Sequence, residues 1–77
     1  MTYSSKPKPG SKVVLAKLPP GLINGLSLKD QEAIAGAVGR TILLVEYDKY
    51  GRAELKFRDQ EGIIHYIYVS PEFIKSA

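Results

Sequence analysis

Two Asp-x-x-Gly tetrapeptides, eleven residues apart, constrain the fold of this chain more than any other feature of its sequence. They occupy residues 48–51 and 59–62, and each lies between segments rich in β-branched and aromatic residues. This pattern is typical of a type I turn followed by a glycine bulge, because the aspartate carboxylate accepts backbone N–H bonds and the glycine adopts a positive φ. The two turns therefore predict a three-stranded antiparallel meander, with strands at residues 40–47, 52–58 and 63–69.

The turn geometry also predicts which residues face each other, because it pairs Asp48 with Arg52 and Asp59 with Ile63. A register shift of one residue would invert every side chain of a strand. One face of the predicted meander is apolar and forms the core: Leu43, Val45, Tyr47, Ala53, Leu55, Phe57, His65, Ile67 and Val69. The other face is mixed: Ile42, Leu44, Glu46, Arg52, Glu54, Lys56, Arg58, Ile64, Tyr66 and Tyr68.

The same register places Glu46 directly opposite Glu54, which is an unfavourable pair of like charges. Arg52 and Lys56 lie close enough along the strand to compensate for it. Two facing carboxylates that bind a cation or exchange a proton, and an error in the register, are the alternatives.

The first half of the chain predicts one strand and one short helix. Residues 11–18 form the strand, which ends at two prolines because proline cannot donate to a ladder. Ser27 begins a helix of about ten residues, with Asp30 completing a capping box, and Gly39 is placed to end it. Apolar residues at the helical period, Leu28 among them, predict the buried side of this helix. After the meander, residues 70–72 predict a single helical turn, through which Phe73 and Ile74 anchor the carboxyl end on the core.

Length and charge divide the chain into an arm and one domain. Its 77 residues are enough for a single small domain, predicted at residues 11–77. Residues 1–10 alternate lysine and proline without an apolar cluster, and we expect them to form a flexible basic arm. Of the net charge of +3, residues 1–17 contribute four lysines and no acid, whereas residues 18–77 contain seven basic and eight acidic residues. The body is therefore nearly neutral, which weakens the case for a nucleic-acid-binding domain.

In element order and turn placement, residues 11–75 resemble the SH3-like small β-barrels. The resemblance implies a mainly β fold: a half-open barrel with a carboxyl-terminal three-stranded antiparallel meander and one short helix inserted after the first strand. No functional residue is carried over from that superfamily, because the aromatic cluster with which SH3 domains bind peptides is not visible in the first loop.

Several classes of function lack the residues that they need. The chain has no cysteine, which excludes disulfides and thiolate metal sites. It shows no signal-peptide pattern and no apolar run near the roughly 18 residues of a membrane span, so we expect a cytoplasmic protein without membrane contact. An Asp-x-x-Gly of the GTPase kind would need a phosphate-binding loop, which is missing. We predict no catalytic residue, no metal site and no cofactor, and hence no enzyme.

His65 is the only histidine, and the register places it at the edge of the core beside Phe57. We expect one ring nitrogen to bond the backbone. A role in proton transfer would need a nucleophile or carboxylate nearby, and a metal site would need several converging carboxylates. Contact with a partner is the remaining alternative.

The mixed face of the meander is the main functional lead. The predicted partner-binding residues are Tyr66, Tyr68, Lys56, Arg58 and Ile64. Three interpretations are open: the first strand and the terminal turn cover this face, it contacts a protein or a second copy of the chain, or its aromatic rings stack on nucleobases.

We therefore expect a small non-enzymatic interaction module that binds a protein partner, or itself, through this aromatic and aliphatic face. A groove between the first loop and the Asp48–Gly51 turn is the other possible contact surface. The alternative is an accessory nucleic-acid-binding protein, in which the tyrosines stack on bases and a basic arm with Lys6, Lys8 and Lys12 contacts phosphates. Association with nucleic acid would then weaken as salt is raised.

Overall fold

The computed structural model describes residues 6–77 and is mainly β. Its elements, in chain order, are β1 (Lys12–Leu15), α1 (Leu28–Ala35), β2 (Thr41–Tyr47), β3 (Ala53–Arg58), β4 (Ile64–Val69), a 3-10 turn (Pro71–Phe73) and β5 (Ile74–Ser76). The five strands form one antiparallel sheet in the order β4-β3-β2-β1-β5. The predicted order of a first strand, an inserted helix and a meander is thus confirmed, and the sheet is not closed into a barrel.

Both Asp-x-x-Gly segments form the predicted turns. In the first, the Gly51 N–H donates to the Asp48 carbonyl at 2.9 Å, and the Asp48 N–H donates to the Arg52 carbonyl at 2.8 Å. In the second turn, Gly62 donates to Asp59 in the same way at 3.0 Å. Gly51 and Gly62 have φ values of +82° and +83°, the left-handed conformation that the turn type requires.

The predicted register holds throughout the β3–β4 pair and fails in the first half of β2. Tyr47 faces Ala53 and Glu46 faces Glu54 as predicted, but Leu44, not Val45, faces Leu55. The register shifts between Leu44 and Glu46, so that Val45 is an extra residue on β2. Such a β-bulge inverts every side chain beyond it.

Because of this bulge, the predicted faces of the first half of β2 are wrong. Ile42 and Leu44, which were expected on the mixed face, are core residues with 3% and 0% of their surface exposed. Leu43 and Val45, which were expected inside, are only half-buried. The shift exchanges one pair of aliphatic side chains for another, so the choice between them depends on the surface that α1 and the loop before it provide.

The core lies on one side of the sheet and is covered there by α1 and the loop before it. Its buried members come from all five strands, the helix and the segment that follows it: Val13, Leu15, Ile34, Ala37, Ile42, Leu44, Ala53, Leu55, Phe57, Ile67, Val69 and Ile74. Leu18, Leu22 and Ile23, which lie in the loop between β1 and α1, pack against this cluster.

Helix α1 begins where the capping box predicts and ends earlier than expected. The Ser27 side chain accepts the Asp30 N–H at 3.2 Å, which is the predicted cap. The helix ends at Gly36, not at Gly39, and the Gly39 N–H instead donates to the Leu15 carbonyl of β1. Leu28 was expected on the buried side but exposes 77% of its surface. A bond to a neighbouring strand thus replaces the last turn of the predicted helix.

The carboxyl end forms the predicted turn and, in addition, a fifth strand. Residues 71–73 make the 3-10 turn, and Ile74 is buried as expected. The next residues pair with β1, with Ile74 opposite Leu15. β1 is therefore an interior strand, and β4 and β5 are the two edges of the sheet.

Part of the predicted arm lies beside β2. The Gly10 N–H donates to the Leu44 carbonyl at 2.7 Å, and the Tyr47 hydroxyl donates to the Pro7 carbonyl at 2.8 Å. Burial raises the pKa of Tyr47. Residues 1–5 of the arm lie outside the described residues, and its flexibility stays a prediction.

Candidate interaction surface

All five residues predicted to bind a partner lie on the side of the β3–β4 pair that faces away from the core. Cross-strand pairs join Arg58 to Ile64, Lys56 to Tyr66 and Glu54 to Tyr68. Ile64, Tyr66 and Tyr68 expose 40%, 53% and 43% of their surface. Neither β1 nor the carboxyl-terminal turn covers these three side chains. We call the group formed by Arg52, Lys56, Arg58, Ile64, Tyr66 and Tyr68 the tyrosine face.

Cationic side chains lie over the rings of the tyrosine face. The Lys56 ammonium is 5.9 Å from the Tyr66 ring centroid, and the Arg52 guanidinium is 5.4 Å from that of Tyr68. Arg52 is also 5.4 Å from the ring of Tyr50 in the first turn. Each such contact stabilises an exposed side chain by about 0.5–1 kcal/mol. These contacts favour an arrangement in which the cations lie over the rings.

Arg52 is fixed at its other side by the first turn. Its Nε donates to Asp48 Oδ2 at 2.7 Å, while Asp48 Oδ1 accepts the N–H groups of Tyr50 and Arg52 at 2.9 Å each. Partial burial alone would raise the pKa of Asp48, but the hydrogen bonds from Arg52 and Tyr50 hold that pKa below its ordinary value. The turn aspartate thus positions a cation of the tyrosine face as well as shaping the turn.

The two facing glutamates are where the register placed them, and the cations beside them point elsewhere. Glu46 and Glu54 are paired across β2 and β3. Within residues 6–77, neither carboxylate takes part in an ion pair. Arg52 and Lys56, which were expected to compensate for this pair, instead reach toward the tyrosines of β4.

Lys6 and Lys12, two of the three lysines of the nucleic-acid alternative, lie beside different residues of β2. Lys12 of β1 faces Leu43, which faces Lys56, which in turn faces Tyr66, so Lys12 belongs to the same cross-strand row as the tyrosine face. Lys6 lies over the ring of Tyr47 at 5.1 Å. The register error in β2 hid this row, because it placed Leu43 on the opposite side.

His65 lies on the other side of β4, where the prediction placed it, but its partner is different. Its ring stacks on Phe57 with the centroids 5.2 Å apart. Nε2 lies 2.8 Å from Asp59 Oδ2, and no backbone group takes that place. The predicted register contained the signal, since Asp59, Ile63 and His65 follow one another on the same side of the hairpin.

The pKa of Asp59 is lower than its ordinary value, chiefly because of the bond from His65. Partial burial acts in the opposite direction, and the N–H groups of Ile63 and Glu61 lower the pKa further. A carboxyl whose pKa is lower in the folded protein stabilises the fold above its unfolded pKa, near 3.8. That stabilisation is lost as the pH falls through the folded value.

We therefore expect the free energy of unfolding to fall as the pH drops from about 5 toward 2, and Asp59→Asn to flatten this dependence. The amide oxygen of the introduced asparagine can still accept the turn N–H groups, so the turn is retained. Urea unfolding at several pH values measures the slope, and Asp30→Asn is the control. An Asp59→Asn protein with an unchanged acid slope would show that the bond to His65 contributes nothing.

A second concave region lies between α1 and the β3–β4 turn, an open groove of about 550 Å³. Lys29 Nζ bonds Glu61 Oε1 across it at 3.0 Å, and Arg58 Nη1 donates to the Gly62 carbonyl at 3.3 Å. Its three basic and three acidic side chains balance each other, so the groove has no marked preference for a charged ligand.

Residues 6–77 contain neither a metal-binding cluster nor a membrane-spanning helix. No group of three or more His, Cys, Asp or Glu side chains there is placed to hold a metal ion. None of the described residues form a helix of the length and hydrophobicity needed to cross a bilayer.

No protein-family model, curated protein or solved structure matches this chain. Support for a functional site therefore comes from the geometry of this chain's own residues.

Proposed function

We propose that this chain is a small non-enzymatic module that binds a protein partner through the tyrosine face. The observation that carries the proposal is the exposure of two tyrosines and an isoleucine on one regular strand, with two cations already held over the rings. Tyrosine and arginine are enriched among the residues that dominate protein–protein binding energy. Rigid aromatic side chains also lose little conformational entropy on binding.

The relation to SH3-like barrels is part of this proposal. It is supported by the strand, inserted helix, meander and terminal turn, and the described sheet is open. Such folds host many unrelated functions, so the proposal depends on the surface and not on the fold.

Affinity capture from the native lysate tests the proposal, with Tyr66→Ala/Tyr68→Ala compared with the unchanged protein. We expect the double variant to lose at least about tenfold in retained partner, because each truncated anchor commonly costs more than 1 kcal/mol. Both side chains are exposed, so the melting temperature should change little.

Leu28→Ala is the matched control, since Leu28 is an exposed apolar residue on α1, away from the tyrosine face. It should leave partner capture unchanged. Equal capture by the unchanged protein and the double variant would refute the proposed face.

Binding of single-stranded nucleic acid is the second candidate, and the row formed by Lys12, Lys56 and Tyr66 favours it. Base stacking on tyrosine combined with lysine–phosphate contacts is a common mode of such binding. Affinity for a labelled oligonucleotide should then fall steeply from low to moderate salt, and further in Lys12→Gln. Binding that hardly changes with salt would exclude it.

A further inference from the structure

We infer that the open edge of β4 accepts an extended acidic segment of the partner as a sixth strand of the sheet. This inference rests on the proposed function and names the kind of partner that the tyrosine face would bind.

Within residues 6–77, the outer edge of β4 has unpaired backbone groups at Ile64, Tyr66 and Tyr68. In this part of the chain, β4 is the last strand in the sheet order and pairs only with β3. The bond from the Asp59 N–H to the Ile63 carbonyl makes these two residues a hydrogen-bonded pair. Along an antiparallel ladder, hydrogen-bonded pairs alternate with pairs that are not hydrogen-bonded. The pairs that include His65, Ile67 and Val69 are hydrogen-bonded, and those that include Ile64, Tyr66 and Tyr68 are not. His65, Ile67 and Val69 therefore direct their backbone groups toward β3.

It follows that Ile64, Tyr66 and Tyr68 direct their N–H and C=O groups away from the sheet. The same three residues thus present both exposed side chains and unpaired backbone groups. An added strand would form main-chain bonds with them while its alternate side chains lie beside the tyrosine rings.

The edge lacks the features that usually block strand addition. Over its six residues, β4 contains no lysine, arginine, aspartate, glutamate or proline. Natural edge strands are commonly protected by such residues, by bulges or by a covering element. The pairing of β4 with β3 is also regular, without a bulge. A regular, uncharged edge strand of β-branched and aromatic residues is well suited to pairing with another strand.

The charge beside this edge selects an acidic occupant. Lys56 of β3 lies over the ring of Tyr66, Arg52 of the preceding turn lies over the ring of Tyr68, and Arg58 pairs with Ile64 at the far end. Asp48 pairs with Arg52, and Glu54 faces Tyr68, so these three cations exceed the neighbouring carboxylates by one positive charge. Neighbouring strands lie about 4.8 Å apart, so carboxylates of an added strand on the side of the tyrosine face would come close to these cations. A second copy of this chain would bring the same excess of positive charge, which disfavours self-pairing. On the core side, apolar side chains would extend the core beyond Ile67.

The probe is therefore a capped eight-residue peptide that alternates glutamate and valine, with a lysine–valine peptide of the same length as its counterpart. We expect the glutamate peptide to bind the full chain, and to slow amide hydrogen exchange at Ile64, Tyr66 and Tyr68. Lys56→Glu should weaken its binding at least tenfold. Lys75→Glu, on the opposite edge strand, should change it less than twofold. In antiparallel pairing, the glutamates would lie opposite Ile64, Tyr66 and Tyr68 and donate their N–H groups to them. The same peptide N-methylated at its glutamates should therefore not bind, whereas N-methylation at its valines should leave binding largely unchanged.

The inference is overturned if the lysine peptide binds equally well, if protection appears at β5, or if the peptide N-methylated at its glutamates retains full affinity. Sedimentation showing a dimer protected at β4 would assign the edge to a second copy instead. Failure of the glutamate peptide, with loss of partner capture in Tyr66→Ala/Tyr68→Ala, overturns the strand addition and leaves the proposed function standing. Unchanged capture in that variant overturns the proposed function itself.

Discussion

Replacing Leu44 with alanine is expected to lower the free energy of unfolding by about 2–5 kcal/mol, because the side chain is fully buried in the middle of the sheet and its loss leaves a cavity. A domain of this size has a total stability of only about 5–10 kcal/mol. A single aliphatic side chain therefore accounts for a large fraction of the margin that keeps the chain folded.

Leu43→Ala is the matched control, since it removes the same atoms from the next residue of β2. Leu43 is half-buried on the side of β2 that faces away from the core, so its loss should cost well under half as much. Chemical denaturation of both variants measures the difference. The register without a bulge predicts the reverse order, and a larger loss for Leu43→Ala would exclude the bulge at Val45.

Gly62→Val is expected to destabilise the protein by about 1–3 kcal/mol, because a β-branched residue is strained at a φ of +83°. For a domain of this length, that corresponds to a fall in melting temperature of roughly 5–20 °C. Apart from its two neighbours in the chain, no residue has an atom within 4 Å of the position that a Cβ would take, so the cost comes from the backbone conformation and not from a clash. Gly51→Val should behave in the same way.

Gln60→Val separates this backbone effect from the general effect of valine in a turn. Gln60 is exposed in the same turn, and no non-glycine residue among the described residues has a positive φ. We expect little change in its melting temperature. Gly62→Asn should lie between the two, since asparagine tolerates the left-handed conformation better than valine. Equal melting temperatures for Gly62→Val and Gln60→Val would contradict the turn assignment.

Turn chemistry explains why half of the sheet was predictable. Asp59 and Gly62 each have a local reason to occupy their positions, and the turn they form sets the β3–β4 register without help from the rest of the chain. The five predicted contact residues follow from that register, which is why they lie together on one surface. The same register could have predicted the contact between His65 and Asp59. His65 lies two residues after Ile63, which pairs with Asp59 in the turn.

The bulge at Val45 had no comparable local signal. Residues 41–45 are almost uniformly apolar, so neither alternate set stands out as the buried one. The choice depends on what lies over the sheet, namely α1 and the loop before it. The pairing of β5 was equally hidden, because three residues are too few to show a periodic pattern.

For this protein, the sequence alone determined the elements whose geometry is decided within a few residues: the two turns, the cap of α1, and the alternation of side chains along β3 and β4. Only the tertiary structure decided which leucine of β2 enters the core, that β5 pairs with β1, and that β4 is left as an open edge beside a row of cations. The physical reason is one of range. Hydrogen bonds and φ preferences in a turn act between near neighbours in the chain, whereas burial depends on surfaces supplied by residues far away in sequence.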